Sequence, residues 1–181
     1  YGNSGGAGTQ TAALSFGGAP SGPGAPQLTT SESYNGTSWT ATPSLNTARA
    51  ATAGCGATNT AALCIGGQNP STNDGVLTES FNGTSWSPVN SLNTARAEVG
   101  GAGTNIAALA FGGVTTVSVA NSESWNGTSW SQADEMNTAR SGLAGAGIQT
   151  SSLAFGGTPY TTATEAYNDP YYDNLTITTT V

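Results

Sequence analysis

Two short motifs and a glycine pair recur along the chain, and this repetition constrains the fold more than any other feature. Asn-Gly-Thr-Ser-Trp occurs at residues 35–39, 82–86 and 126–130. Asn-Thr-Ala-Arg occurs at residues 46–49, 93–96 and 137–140. A Gly-Gly pair ends an apolar run at residues 17–18, 66–67, 112–113 and 156–157. The period of 44–49 residues is typical of propeller blades.

One repeat is interpreted as four short strands joined by turns. In the third repeat the predicted strands are residues 97–103, 107–111, 122–125 and 128–131. Asn126-Gly127 predicts a type I′ hairpin turn, because this pair tolerates positive φ at both central positions. No segment shows a sustained helical period. The sequence therefore predicts an all-β protein, a β-propeller built of four-stranded antiparallel blades.

The 181 residues hold four such units, and their length suits one propeller domain. The predicted blades span approximately residues 1–45, 46–92, 93–136 and 137–181. The last unit is degenerate but complete, because Tyr172 falls at the position of Trp39. Residues 175–181 are predicted to form a trailing strand.

These residues resemble kelch repeats over the whole chain. A kelch blade has Gly-Gly after its second strand, an aromatic residue in its third, a Trp in its fourth and an Arg opening the next blade. In the third unit these markers are Gly112-Gly113, Trp125, Trp130 and Arg140. The amino-acid sequence of the repeats is also similar to that of repeats in bacterial surface proteins and in structural proteins from aquatic tailed phages. That similarity implies an extracellular, cell-surface or virion location.

The number of blades leaves the closure of the propeller open. Kelch propellers usually have six or seven blades, whereas this chain supplies four. The four blades either close as a small ring, belong to a larger propeller or pair with a second copy. Because the chain begins with Tyr1 rather than Met, we expect a processed product or a part of something longer.

Charge and composition exclude several classes of function. The net charge is −7, from 3 basic and 10 acidic residues, which is the wrong sign for binding nucleic acid. The chain has no His and no Lys, so it lacks Ser-His triads, Schiff-base lysines and His-based metal sites. No run of 18 apolar residues predicts a membrane span. We therefore expect no enzymatic activity, cofactor, metal, nucleic-acid partner or membrane insertion.

The basic residues lie at nearly one position per blade and are Arg49, Arg96 and Arg140. They are candidate binding residues, because a ring of guanidinium groups recognises the carboxylate or sulfate of an acidic sugar. The alternative is a structural role, in which each arginine bonds carbonyl groups between neighbouring blades. The carboxylates that recur three residues before each turn Asn are expected to be structural and to pair with the arginines: Glu32, Glu79, Glu123 and Glu165.

The loops between the second and third strands differ in length and content. They lie at residues 19–29, 68–76, 114–120 and 158–162. Strand alternation places them on one face, and binding residues concentrate on loops that a rigid scaffold holds. Asn73, Asp74 and Tyr160 are candidate binding residues in these loops, the tyrosine by stacking on a sugar. The alternative is that the loops are spacers without a ligand.

Cys55 and Cys64 are predicted to lie opposite each other. With residues 59–60 as the hairpin tip, the antiparallel pairing places 55 against 64. A cross-strand disulfide would imply an oxidising, extracellular setting. The alternative is a pair of buried free thiols that act as small hydrophobic residues.

Together these features favour a non-catalytic extracellular or virion-associated module for binding or adhesion. It would act through the variable loops, with glycans as one class of ligand. The alternative function is a structural building block of a filament, capsid or tail. The expected partners are cell-surface glycans or other protein subunits, including further copies in a homo-oligomer or larger assembly.

Overall fold

The described part of the chain folds into short strands in four antiparallel sheets, arranged as the four blades of a propeller. A computed structural model describes residues 2–21, 24–68, 75–159 and 162–169, and these ranges contain no helix. The predicted all-β, four-bladed propeller is therefore confirmed.

Each blade is built from strands that are consecutive in the sequence. Blade 1 contains β1 (Gly5–Thr9), β2 (Ala12–Phe16), β3 (Ser31–Tyr34) and β4 (Trp39–Thr42). Blade 2 contains β5 (Ala53–Thr58), β6 (Ala61–Ile65), β7 (Thr78–Phe81) and β8 (Trp86–Val89). Blade 3 contains β9 (Gly100–Gly103), β10 (Ala108–Phe111), β11 (Ser122–Trp125) and β12 (Trp130–Ala133). Blade 4 contains β13 (Ala144–Ile148), β14 (Ser151–Phe155) and β15 (Thr164–Asn168). Tyr172 and the predicted trailing strand lie outside the described residues.

The first strands of neighbouring blades pack directly on each other, and glycines make this approach possible. Strand β1 lies against β5, β5 against β9, and β9 against β13. A Cβ atom added to Gly54 would lie 2.2 Å from the carbonyl oxygen of Gly6, and one added to Gly145 would lie 2.5 Å from that of Gly101. No side chain fits in such a gap, so the packing of the blades requires glycine at these positions.

The Asn-Gly-Thr-Ser turn is not the predicted type I′ hairpin. Trp125 pairs with Trp130, so the loop has four residues instead of two. The Oδ1 atom of Asn126 accepts hydrogen bonds from the backbone N–H groups two and three residues further on, each at 2.9 Å. Gly127 has a φ of +89°, whereas Asn126 is not among the residues with positive φ. The Asn side chain replaces a backbone acceptor here, which explains why Asn opens each copy of the turn.

Among the described residues, the core consists of three clusters, one between each pair of consecutive blades. We call the side of a blade that faces the next blade its forward face, and the opposite side its rear face. Leu14 and Phe16, on the forward face of blade 1, pack against Phe81 and Trp86, on the rear face of blade 2. The rings of Phe16 and Trp86 meet edge to face with their centroids 4.8 Å apart. Such aromatic contacts add to the stabilisation that burial provides.

The same arrangement joins the later blades. Leu63 and Ile65 of blade 2 pack with Trp130 of blade 3. Leu109 and Phe111 of blade 3 pack with blade 4 around the buried side chain of Leu143. The interfaces between blades thus bury six of the recurring aromatic residues, Phe16, Phe81, Trp86, Phe111, Trp125 and Trp130. Trp39 and Phe155, at equivalent positions of blades 1 and 4, are exposed.

The series of contacts between blades ends at blade 4. No contact comparable to those between the other first strands joins β13 to β1. Backbone hydrogen bonds show the same order, because Ala51 donates to Asn3 at 2.8 Å, Glu98 to Ala51 at 2.8 Å, and Gly142 to Glu98 at 2.9 Å. Among the described residues, no such bond connects Asn3 to a carbonyl group of blade 4. The described strands of blades 1 and 4 are thus not joined as those of neighbouring blades are.

Candidate functional site

Each of the three arginines lies inside the blade that it opens and binds three acceptors there. Nη1 of Arg96 donates to the carbonyl oxygens of Gly112 and Asn121, at 2.9 and 2.6 Å. Nη2 of Arg96 donates to Oε1 of Glu123 at 2.9 Å. The arginines of blades 2 and 4 make the same set of contacts. All three arginine side chains are fully buried.

The Asn of the Asn-Thr-Ala-Arg motif binds the same glutamate. The backbone N–H and Nδ2 of Asn93 both donate to Oε2 of Glu123, at 2.7 and 2.9 Å. Nδ2 of Asn93 also donates to the carbonyl oxygen of Trp130 at 3.0 Å. The spacing of Asn93 and Arg96 brings both to one carboxylate. We call this group of Asn, Arg and Glu the linker clamp, because it holds the segment between two blades onto the second of them.

Burial and pairing act in opposite directions on the charged groups of the clamp. Burial lowers the pKa of Arg96, and the neighbouring Glu123 carboxylate opposes this effect. Burial alone raises the pKa of Glu165, but hydrogen bonds from Asn137 and Arg140 outweigh it, so this pKa lies below its ordinary value. Glu165 is therefore ionised at neutral pH and pairs with Arg140.

The structure thus places the three candidate binding arginines in structural pairs. The expected pairing with the recurring glutamates is confirmed in blades 2, 3 and 4. The carbonyl groups that each arginine binds belong to its own blade, whereas the sequence suggested bonds between blades. Because each guanidinium group is enclosed and paired, it offers no exposed cation to the carboxylate or sulfate of an acidic sugar.

Blade 1 carries the glutamate of the clamp without an arginine among the described residues. Glu32 holds the position that Glu79 and Glu123 hold in the next two blades, but it is exposed. No described cation pairs with its carboxylate. Tyr1, at the position of the arginine, lies outside the described residues. Glu32 is therefore a natural internal control for the buried glutamates.

The predicted disulfide between Cys55 and Cys64 is wrong, and both thiols are free. The hairpin tip pairs as predicted, but strand β5 has a bulge after Cys55 that shifts the register. Cys64 therefore lies opposite Gly54, and Cys55 opposite Leu63. Cys55 shares a face of the sheet with its partner Leu63, and the next residue of β6, Cys64, points to the opposite face. Cys55 therefore packs between blades 2 and 3, and Cys64 packs between blades 1 and 2.

Neither thiol is expected to react in the folded protein. Burial raises the pKa of Cys55 to about 12 and that of Cys64 to about 11, and the thiolate is the reactive form. Iodoacetamide at neutral pH should leave the mass of the native protein unchanged and should label both cysteines in denaturant without prior reduction. Rapid labelling of the native protein would contradict the burial of the thiols. Labelling in denaturant that requires a reductant would show a disulfide.

A cavity of about 400 Å³ is lined by residues from all four blades, which places it on the axis of the propeller. Each blade contributes two consecutive residues: Asn3 and Ser4, Ala51 and Thr52, Glu98 and Val99, and Gly142 and Leu143. The polar groups open to the cavity are an amide, one hydroxyl and one carboxylate, because the hydroxyl oxygen of Thr52 is buried. Such a mixture can donate and accept hydrogen bonds but carries no positive charge.

The first cavity residue of each blade has a left-handed backbone. The φ angles are +57° at Asn3, +55° at Ala51 and Glu98, and +60° at Gly142. Residues other than glycine rarely adopt this conformation, and such strain persists where the surrounding structure holds it, often at functional sites. Here the backbone bonds from blade to blade hold it, from Gly142 to Glu98 to Ala51 to Asn3.

Sequence reasoning did not single out these cavity positions. They come two residues after the arginine or its equivalent, and the four copies carry Asn, Ala, Glu and Gly there. This difference among copies, within a motif that is otherwise repeated, was the available signal. No local rule predicts a left-handed backbone at Ala51 or Glu98, so the pattern alone did not reveal a shared cavity.

The variable loops begin beside the cavity. In each blade, the residue before the cavity pair forms a β-bridge with the residue after Gly-Gly: Gly2 with Ala19, Ala50 with Gln68, Ala97 with Val114, and Ser141 with Thr158. The loop at residues 114–120 is described in full, and Val117 is exposed in it. The candidate binding residues Asn73, Asp74 and Tyr160 lie outside the described residues.

Comparison with known proteins supplies no family for this chain. No protein-family model matches it, and a search of curated proteins finds no match. In the part of the chain that the structure describes, no helix is long and apolar enough to cross a membrane. Within those same residues, no three Asp, Glu or Cys side chains gather to form a metal site. The functional argument therefore depends on the geometry of the propeller.

Proposed function

We propose that the chain is a kelch-like propeller that acts as a non-catalytic module for binding or adhesion, outside the cell or on a virion. The axial cavity carries this proposal, because its lining differs from blade to blade within a scaffold that is otherwise copied. The variable loops start beside the same cavity. Variation gathered around one cavity of a rigid scaffold is typical of a binding surface.

The roles of the marker residues support the kelch assignment. Gly112 and Gly113 both have left-handed φ angles, +61° and +102°, which turn the chain out of the second strand. The N–H of Gly113 then donates to the carbonyl oxygen of Arg140 at 2.8 Å. Trp125 and Trp130 pack on each other with ring centroids 5.3 Å apart. The glycine pair is thus bonded to the arginine that opens the next blade, and the two aromatic residues pack on each other within blade 3.

The cavity favours an uncharged, hydroxyl-rich ligand, and we propose a neutral glycan. The amide of Asn3 and the hydroxyl of Ser4 can each exchange hydrogen bonds with sugar hydroxyls, and Glu98 accepts them. The arginines are enclosed in the linker clamps, so an acidic sugar finds no cation among the described residues. The net charge of −7 also repels anionic ligands.

An array of neutral and acidic oligosaccharides tests this proposal. The protein should bind neutral members, and Glu98→Gln should weaken that binding about tenfold because it removes a charged acceptor. Glu32→Gln makes the same change of charge on the rear face of blade 1 and should leave binding unchanged. If the E98Q variant bound neutral glycans as tightly as the parent protein, the axial cavity would be excluded as the binding site. If the parent protein bound no glycan, the proposed ligand class would be wrong.

A structural building block of a filament, capsid or tail is the second proposed function, and one observation favours it. Trp39 on the rear face of blade 1 and Phe155 on the forward face of blade 4 are both exposed. Large aromatic residues at the two ends of a blade series suit a protein that packs on other subunits. Electron microscopy of the concentrated protein should show ordered assemblies, and a field of dispersed particles would argue against this function.

A further inference from the structure

The forward face of blade 4 exposes residues that are buried on the other forward faces. Leu153 and Phe155 are 45% and 39% exposed. Phe16 and Phe111, which hold the position of Phe155 in blades 1 and 3, are 1% and 2% exposed. The difference is that blades 1 and 3 are each followed by another described blade, which covers these side chains.

The rear face of blade 1 is exposed in the same way. Trp39 is 50% exposed, whereas Trp86 and Trp130, at the same position of the next two blades, are 5% exposed. The ring of Trp39 packs on Tyr34 of its own blade, with the centroids 5.2 Å apart. Its other side therefore lacks the contact that Phe16 gives to Trp86.

The first strands repeat this pattern. A Cβ atom added to Gly6 would have Leu14 of its own blade as its nearest neighbour, at 3.6 Å. At the equivalent Gly54, an added Cβ would collide with the backbone of blade 1. The inner edge of blade 1 is thus open where the inner edges of the later blades are covered.

We infer that these two faces bind each other between two copies of the chain. The forward face of blade 4 in one copy packs on the rear face of blade 1 in a second copy, as blade 1 packs on blade 2 within the chain. The partner is a second copy because the interface between a forward face and a rear face already occurs three times in the chain. The two exposed faces are one forward face and one rear face, each without its counterpart. Such a head-to-tail contact either closes into a ring or continues as a filament.

A hydrogen bond of the existing interface can form again in this contact. Nε1 of Trp130 donates to Oγ1 of Thr78, on the forward face of the preceding blade, at 3.2 Å. Thr164 holds the register position of Thr78 in blade 4 and is exposed. The Thr164 hydroxyl is therefore placed to accept a hydrogen bond from Trp39 of the second copy.

Charge opposes the contact at long range but not at the interface. The described strand residues on the forward face of blade 4 carry no ionisable side chain, and Glu32 and Tyr34 are the ionisable groups on the strands of the facing rear face. The net charge of −7 on each copy repels a second copy, and salt screens this repulsion. Association should therefore strengthen as the salt concentration rises, as expected for an apolar contact.

This contact identifies a second copy as the partner in the proposed building-block function. The biological role of the contact rests on that proposed function. The contact can nevertheless be tested alone. If closed pairs form but no ordered assemblies are seen, the contact stands and the building-block function fails.

Sedimentation velocity of the 181-residue protein at micromolar concentration, with mixing of variants, tests the inference. The parent chain should have at least twice its monomer mass of 17.9 kDa. Trp39→Glu and Phe155→Glu should each be monomeric alone, because every contact would contain one altered face. An equimolar mixture should recover the mass of a pair, because W39E retains its forward face and F155E retains its rear face.

Controls separate this result from misfolding and from other partners. Ile106→Glu changes an exposed apolar residue on a hairpin tip of blade 3 and should associate like the parent. Circular dichroism should show the same β content in all variants. A monomeric parent would overturn the inference and leave the end faces to a different partner. Association of either variant alone, or no recovery on mixing, would also overturn it.

Discussion

Replacing Arg96 by methionine is expected to lower the free energy of unfolding by about 3–5 kcal/mol. Methionine keeps the apolar stem but removes the donors to the carbonyl oxygens of Gly112 and Asn121 and to the carboxylate of Glu123. Glu123 then remains buried with its charge no longer paired. Urea unfolding followed by circular dichroism measures the loss.

The matched control is the glutamate of blade 1. Glu32→Gln alters the same repeat position where it is exposed, so the free energy of unfolding should change by no more than about 0.5 kcal/mol. Glu123→Gln should be strongly destabilising, because the buried arginine loses its counter-charge. A loss below about 1 kcal/mol for Arg96→Met, or equal losses for E32Q and E123Q, would show that the clamp does not stabilise the fold.

Gly54→Ala is expected to lower the free energy of unfolding by about 3 kcal/mol, at the upper end for overpacking. The new methyl group would lie 2.2 Å from the carbonyl oxygen of Gly6 and 2.6 Å from its nitrogen. Both atoms are backbone, so no side chain can rotate away, and blades 1 and 2 would have to separate. Thermal or urea unfolding measures the effect.

Gly6→Ala is the control for this substitution. The added Cβ would lie 3.6 Å from the nearest atom, which is ordinary contact, so the free energy of unfolding should change by less than about 1 kcal/mol. The comparison is best made in the Phe155→Glu background, where contact between copies is removed. Equal destabilisation by both alanines would mean that the inner edge of blade 1 is covered by blade 4.

The blade architecture could be predicted from the sequence because each repeat carries the residues that form its own turns and end its own strands. The glycine pair ends the second strand through two left-handed φ angles, and the Asn side chain forms the turn before the fourth strand. These signals act over a few residues, so their recurrence reveals both the number of blades and their order. The type I′ prediction failed because the side chain of Asn126, rather than the backbone, supplies the turn acceptor.

The cysteine prediction failed for a reason that is visible in the repeats. Gly54-Cys55-Gly56 matches Gly101-Ala102-Gly103, so blade 2 has one extra residue between this triplet and the hairpin tip. Counting back from the tip ignored the insertion and moved Cys55 to the wrong face of the sheet. Alignment on the Gly-x-Gly triplet would have placed Cys64 opposite Gly54, as the structure does.

The burial of the arginines and the exposure of the end faces could not be read from any local pattern. The spacing of Asn93 and Arg96 is visible, but the carboxylate that joins them comes 27 residues after the arginine. Likewise, Trp39 and Trp86 stand in the same sequence motif. They differ because one has a blade packed on it and the other does not, and that depends on the whole assembly.

The central claim is that the arginine and the glutamate of the linker clamp act as one structural unit. A double-mutant cycle of Arg96→Met and Glu123→Gln, measured by urea unfolding, tests this claim most directly. We expect a coupling free energy of about 2–3 kcal/mol, because once one partner is lost the second substitution removes little more. A coupling below about 0.5 kcal/mol would contradict the account and would free Arg96 for a role other than holding the blade.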